Sequence, residues 1–572
     1  MAKQRIITNT RRWGVSRVAT ITKRKVHGHI YYYLVASKRI DGKPRLVLQK
    51  YLGRAEDVVA QLEGKSTAPQ SVVVGEYGGS RALVHMARRL RLVEHVDAAA
   101  PKRDQGLSVG TYILLAVLNR ILAPCSKAKL AEWYHSTALY HDLPVRDADL
   151  TSQRFWDHMG YLTVERIRTI ETALTEHMVK EFALDLSTVV YDATNFYTWI
   201  DTNTPSELAQ RGHQKQHRTD LKAIGLALLV TTDFNIPLLH AVYPGNRADS
   251  TEFQSITEDL VARYEGLRNG CERATLIYDK GNHSKTNQAA IDASPFHFVG
   301  SLKANQLPDL FDVPAKDFVP VPEHGGLTAY RTTRKVFGAE RTIVVTYNEA
   351  LYLGQCQGEL VRLRKLQQRL QAIHQGLEKA KRRPSVATLT QRVATAVAQA
   401  GPPVRQWVTT QVVADDTKPT FTYTIDHEAL HRWGEQHWGK TILFTDHDDW
   451  STAEIIAAYR DAWHVESTFR DLKHPLWIRW QPQFHWTDDK IRVHGLICVL
   501  AVTLAHLLRR EYARAGLELS LPRLLQELTT IQEVAWLYPQ SRHAEPQISL
   551  TDRTPRQQQL LDLLAIPMPT AQ

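Results

Sequence analysis

At 572 residues, with 43% hydrophobic and 23% charged side chains, the chain is long enough for three or four structural units and too apolar for wholesale disorder. Its four cysteines, Cys125, Cys271, Cys356 and Cys498, form no CxxC pair, which excludes a disulfide framework and cysteine-rich zinc modules and fits a reducing, cytoplasmic setting. The net charge of +11 is uneven: residues 1–54 hold fourteen Lys or Arg against the single acid Asp41, and the remainder is close to neutral. Such a block marks a polyanion-binding arm, because Lys and Arg displace condensed counterions from a phosphate backbone. Export is not expected, since the N-terminus shows no apolar signal segment. The most apolar stretch, 496–508, is shorter than the roughly 20 residues a membrane span needs, so it reads as a buried core helix.

The basic block carries two β-rich runs, His29–Val35 and Arg45–Tyr51, with Asp41-Gly42 between them as a turn signal. Residues 1–79 therefore read as a basic, β-containing N-terminal module, with Arg11, Arg12, Lys23, Arg24 and Lys25 as its candidate nucleic-acid contacts. Residues 80–186 show apolar recurrence at three and four over Ala82–Val93, Val109–Leu122 and Ser152–Met178, which predicts a helical region. From 187 to 300 the pattern changes to short β-branched runs, Thr188–Tyr191, Ala223–Thr231, Pro237–Tyr243, Thr275–Tyr278 and Phe296–Gly300, interleaved with helical stretches, hence a mixed α/β core. Two runs end in an acid, Asp192 and Asp279, at the carboxyl ends of strands where open α/β sheets place their ligands.

Residues 301–445 read as an insertion. They offer a hairpin, Leu327–Arg334 with Arg341–Tyr347, then a helical hairpin broken at Arg383-Pro384, then a strand at Thr441–Phe444. Residues 446–510 return to the core: Ser451 with Glu454 is a capping-box signature, and one helix is expected through Lys473. On that single helix Tyr459, Ala462, Glu466, Phe469 and Lys473 share a face. Residues 511–572 read as a helical C-terminal region.

Phosphodiester chemistry without an organic cofactor needs divalent ions held by acids from different elements, so that the attacking and leaving oxygens are both clamped. Asp192, Asp279 and Glu466 could supply such a cage. Taken singly, each has a plainer reading, the aspartates as caps and Glu466 as a partner of Arg470 four residues on.

The segment Tyr459–Lys473 resembles the Tyr, Arg, Glu, Lys signature of DDE insertion-sequence transposases, with Ala462 where the arginine stands. YDATNFY around Asp192, the basic stretch 211–230, YPGNRADSTEF at 243–253, LIYDKGNHS at 276–284 and the segment 479–505 follow in that family's order. The resemblance implies an RNase H-like α/β core interrupted by a β-rich and helical insertion, with Asp192, Asp279 and Glu466 binding two Mg²⁺ ions for which Mn²⁺ can substitute. It implies cleavage of double-stranded DNA at terminal inverted repeats, transfer of the 3′-OH into target DNA, a homodimer in the synaptic complex, and a bacterial, nucleoid-associated protein with no membrane partner. Tyr459 and Lys473 become DNA contacts, with Arg470, Lys215 and Arg218 as further ones, and Arg460 or Arg470 could replace the missing arginine.

A second motif competes. Residues 427–437 read HExxHxxGxxH, the zinc-binding pattern of metzincin proteases, in which His427, His431 and His437 would be ligands and Glu428 the base. It lacks a following Met-turn, since the only downstream methionine is Met568. The third class is a DNA-binding protein without catalysis, a domesticated or decayed element.

Overall fold

The computed structural model describes residues 19–40, 43–62, 69, 71–103, 105–212, 218, 220–247, 259, 263, 274–279, 281, 284–380, 384–413, 419–537 and 547–569. Arg11, Arg12 and Lys215 lie outside the described residues. The chain divides into two units: 1–75 with 532–552 and 568–572, and 76–531 with 553–567.

In the first unit, β1 (Ala19–Val26), β2 (His29–Ile40) and β3 (Lys43–Gly53) form an antiparallel sheet, and α1 (Ala55–Leu62) follows. The turn between β1 and β2 is His27-Gly28, both at positive φ, which glycine adopts without strain. Lys23, Arg24 and Lys25 stand exposed on β1. Arg24 lies 5.5 Å from the ring centroid of Tyr33 on β2, where a guanidinium gains from the ring's negative face. This unit also holds most of β4 (Ser71–Glu76), in one sheet with two strands from the far end of the chain.

The second unit opens with helices, α2 (Gly78–Arg89), α3 (Leu92–Ala99), α4 (Val109–Leu122), α5 (Leu130–His135), α6 (Ser152–Met159) and α7 (Val164–Phe182). The helix read over Ser152–Met178 is two, because Gly160 ends α6 and the Thr163 hydroxyl accepts Arg166 N–H to start α7. Next come β5 (Thr188–Thr198), β6 (Lys222–Thr231), β7 (Pro237–Pro244), β8 (Thr275–Tyr278), α8 (Lys285–Asp292) and β9 (His297–Leu302). Strands β5, β6 and β7 make an antiparallel meander, whereas β8 pairs parallel to β5 and β9 parallel to β8. Gly225 on β6 is required by packing, since a Cβ there would meet the Tyr243 ring at 2.2 Å.

Strands β10 (Val319–Pro320), β11 (Leu327–Val336) and β12 (Ala339–Asn348) belong to the same sheet, which reads β10-β11-β12-β15-β9-β8-β5-β6-β7. The expected hairpin forms, but it extends the core sheet instead of standing in a separate insertion. The reason is β15 (Lys440–Thr445), which pairs antiparallel with both β9 and β12 and joins them. What remains outside the sheet is 349–439: α9 (Glu349–Lys379), α10 (Val386–Ala398), α11 (Pro402–Trp407), β13 (Val408–Val413), β14 (Thr420–Ile425) and α12 (His427–His437). Leu366, Leu370, Leu389, Val404 and Trp407 give it a hydrophobic core of its own.

The chain then forms α13 (Thr452–Arg460), α14 (Trp463–Leu472), the 27-residue α15 (Asp488–Arg514) and α16 (Leu521–Thr529). The Ser451–Glu454 capping box is present. By length and hydropathy α15 could cross a bilayer, but 94% of its most apolar window is buried inside the protein, as befits a core helix. It passes so close to the sheet that a Cβ on Gly495 would meet Val242 at 2.7 Å. The C-terminal region is not wholly helical. Gln532–Leu537 (β16) and Gln547–Leu550 (β17) pair antiparallel before α17 (Pro555–Leu563). Val534 and Trp536 on β16 are good strand formers, and the pairing that stabilises them comes from β17 and β4, which local helical periodicity cannot register.

Candidate active site

Strand β8 stops at Tyr278, paired with Tyr191 of β5 and with Gly300 of β9. The next residue on each strand is therefore level with the other two: Asp192, Asp279 and Ser301. Side chains alternate along a strand, so the three face away from Tyr278, whose hydroxyl donates to Gln288 of α8 at 2.7 Å on the opposite side. Asp192 does not end its strand as expected. β5 continues to Thr198 because β6 keeps pairing with it as far as Lys222. Asp192 instead marks the point where β5 loses its neighbour β8, which opens the sheet beside the carboxylate.

The helix expected through Lys473 is broken. Asp461 caps α13 and Ala462 begins α14, so Tyr459 and Glu466 lie on separate helices. Tyr459 nevertheless reaches the sheet. Its hydroxyl is 3.1 Å from Asp279 Oδ1 and 2.9 Å from Ser301 Oγ, and Ser301 Oγ donates to the same Oδ1 at 2.9 Å. Burial first, then the carboxylates of Asp279 and Glu466, push the Tyr459 hydroxyl far above its ordinary range, so it acts as a neutral donor.

Glu466 is exposed on the first turn of α14, with Phe469 buried one turn on. Seven residues later Lys473 Nζ donates to Thr194 Oγ1 at 2.8 Å and lies 5.2 Å from the Phe196 ring. Thr194 and Phe196 share the face of Asp192, so the stripe Glu466–Phe469–Lys473 runs along the acid-bearing side of β5. The helix is pinned there through Asn235, at φ +58° in the β6–β7 turn, a conformation asparagine tolerates. Asn235 bonds His464 through its side chain, and its carbonyl accepts from Thr468 at 3.3 Å and pairs with His506 at 2.8 Å.

The donor set of Asp192, Asp279 and Glu466 is hard carboxylate oxygen, the chemistry that suits Mg²⁺. The acids share one side of the sheet, but among the described residues no three His, Cys, Asp or Glu stand close enough to hold an ion. Of the other basic candidates, Arg218 is held by Asp220 in two bonds of 2.9 and 2.7 Å and lies over Tyr197 and Trp199. Arg470 is exposed, and Arg460 faces His324 at 3.1 Å. Ser301 had no motif to announce it, and Thr194, though inside the block around Asp192, had no role assigned; strand register brings both to the acids.

The histidine motif forms a real helix, α12, and among the described residues its side chains make no cluster that could hold a metal ion. His431 pairs with Glu435 along the helix at 3.5 Å. His437 stacks on Trp433 at 3.7 Å and on Phe311 at 4.9 Å, with Nδ1 turned to the Trp433 carbonyl. Helical spacing alone thus serves packing here.

Against known proteins, the family described as "Transposase DDE domain" matches residues 184–502, more than half of the chain. No curated protein matches. Among solved structures, a piggyBac transposase synaptic complex with hairpin DNA is similar at TM-score 0.37 and 8% identity, covering 78% of this chain and 79% of that one.

Proposed function

The chain belongs to the transposase DDE domain family, and from that premise we propose that it is an insertion-sequence transposase that cuts DNA at the element's ends and joins the freed 3′-OH to target DNA. In this reading the β7-β6-β5-β8-β9 half of the sheet is an RNase H-like core. Asp192, Asp279 and Glu466 would hold two Mg²⁺ ions, which when bound activate the attacking oxygen and stabilise the departing one. The Tyr459 and Ser301 hydroxyls orient the Asp279 carboxylate, as hydrogen-bond partners of a ligand commonly do. Lys473, anchored on Thr194, sets a positive charge beside the groove where a phosphate backbone would pass.

The observation that carries the proposal is the level placement of Asp192 and Asp279 on neighbouring parallel strands, with Tyr459, 180 residues away in sequence, hydrogen-bonded to the second. The basic N-terminal module and the helical region after it would bind the inverted repeats, two protomers would pair the ends, and the reaction would take place in the bacterial cytoplasm. The test is strand cleavage and transfer under Mg²⁺ on a plasmid carrying the inverted repeats that bracket the gene. The expected result is metal-dependent nicking by the wild type and none by Asp192→Ala; nicking that survives the substitution removes Asp192 from the site. A wild type that binds these ends but never cuts them would make the chain a non-catalytic DNA binder.

A further inference from the structure

Between α14 and α15 the chain runs through residues 473–487, and this segment has two sides. On one, Arg479, Trp480 and Gln481 close a pocket against Phe196, Tyr197 and Lys473. Trp480 stacks on Phe196 at 4.5 Å, and the Gln481 amide donates to the Tyr197 carbonyl at 2.6 Å. On the other side, Pro482–Trp486 borders a second cavity of about 570 Å³, within the range of small-ligand sites. Arg120 and Lys127 lie at its base, and Trp156, Phe484 and Trp486 form its walls.

The aromatic walls are open. Phe484 and Trp486 are 64% and 52% exposed, and Trp486 lies 4.8 Å from the half-buried Trp156. The base is cationic and lacks an acid. Arg120, 2% exposed, gives Nη1 to the carbonyls of Arg479 and Gln481, while its Nε has no hydrogen-bond partner. Lys127 Nζ is also buried without one, 5.8 Å from the centroid of the Phe155 ring. Lys490 beside Trp156 is paired with Asp489 at 3.0 Å, and among the described residues no carboxylate lines the cavity. Burial and Arg120 push the Lys127 ammonium down to about 7, and burial with Lys127, Arg120 and Lys490 pushes His485 down to about 3. A buried cation without a counter-charge is costly, and an anion in the cavity would relieve it.

Flat aromatic faces beside buried cations are the two elements of a site for one unpaired nucleotide. A base inside a duplex cannot offer its faces, so the strand must be open at that point. We propose that this cavity receives a single splayed nucleotide of a DNA strand, its base stacked on Phe484 and Trp486 and its phosphate at Lys127 beside Arg120. The assignment rests on the reading of the chain as a DNA-processing protein. A strand is favoured over a free nucleotide because residues 479–481, which line the pocket of Lys473, run directly into residues 482–486, which line the cavity, so one short segment borders both.

The test is fluorescence anisotropy with the full chain in EDTA, using a thymidine oligonucleotide of about ten residues, a blunt duplex of equal length, and thymidine monophosphate as competitor. Phe484→Ala with Trp486→Ala is expected to weaken single-strand binding about ten- to a hundredfold, with duplex binding unchanged. Phe484→Tyr with Trp486→Phe should restore it, and Lys127→Met should lower the salt slope by about 0.7. Both aromatic residues are exposed, so the double variant retains its fold, which circular dichroism checks. Single-strand binding equal to wild type, or an equal loss on single strand and duplex, overturns the proposal. Displacement by the monophosphate as effective as by unlabelled oligonucleotide overturns it in favour of a free nucleotide. Because EDTA removes the chemistry, failure of the cleavage assay and failure here are separate results.

Discussion

Two regions of this molecule advertise metal ligands in opposite ways. Helix α12 carries three histidines at metal-site spacing within eleven residues, whereas the acids are scattered from Asp192 to Glu466. The structure reverses the impression. His431 goes to Glu435 and His437 to an aromatic stack, and the aspartates come level through the pairing of β5 with β8. Local spacing brings the histidines of α12 to no common point, whereas the sheet's register brings two distant aspartates level.

The largest test of that contrast is Asp279→Ala, expected to cut Mg²⁺-dependent strand cleavage by roughly a thousandfold or more while leaving DNA binding intact. Gel analysis of nicked plasmid beside a mobility-shift titration separates the two effects. Tyr459→Phe should lower cleavage about ten- to a hundredfold, the scale of one hydrogen bond to a charged group. It keeps the ring and its packing, so an unchanged melting temperature with unchanged cleavage would deny the hydroxyl a positioning role.

A smaller effect concerns the cavity base. Lys127 titrates near 7 in the folded chain and near 10.5 when unfolded, so between those values the unfolded state binds more protons and stability rises with pH. Below about 7 both states are charged and the dependence ends. Denaturant melts of wild type and Lys127→Met should therefore diverge by roughly 3 kcal/mol in wild type's favour from pH 7 towards 10; parallel curves would place the ammonium in water. The smallest effect belongs to the motif that looked strongest: His431→Ala should change neither cleavage nor bound zinc, measured by elemental analysis.

Much of this was legible before the fold was known. The β-branched runs located β5 to β9, and Ser451 with Glu454 located the start of α13. Three features were not legible, each for a physical reason. The apolar spacing at three and four continues through Asp461 and Ala462, so the break between α13 and α14 is invisible to periodicity. Strand β5 runs on past Asp192 because β6 pairs with it, a partner supplied from another part of the chain. In the C-terminal region β16 is held between β17 and β4, the latter from the opposite end of the sequence.

The joint at Asp461 and Ala462 separates two mounts. Helix α13 packs on β8, β9 and β15 and carries the Tyr459 hydroxyl to Asp279, while α14 rides on β5 and β6 and bears Glu466. The two-residue break therefore lets each helix follow its own packing on the sheet: the third carboxylate is placed by β5 and β6, and the tyrosine by β8, β9 and β15.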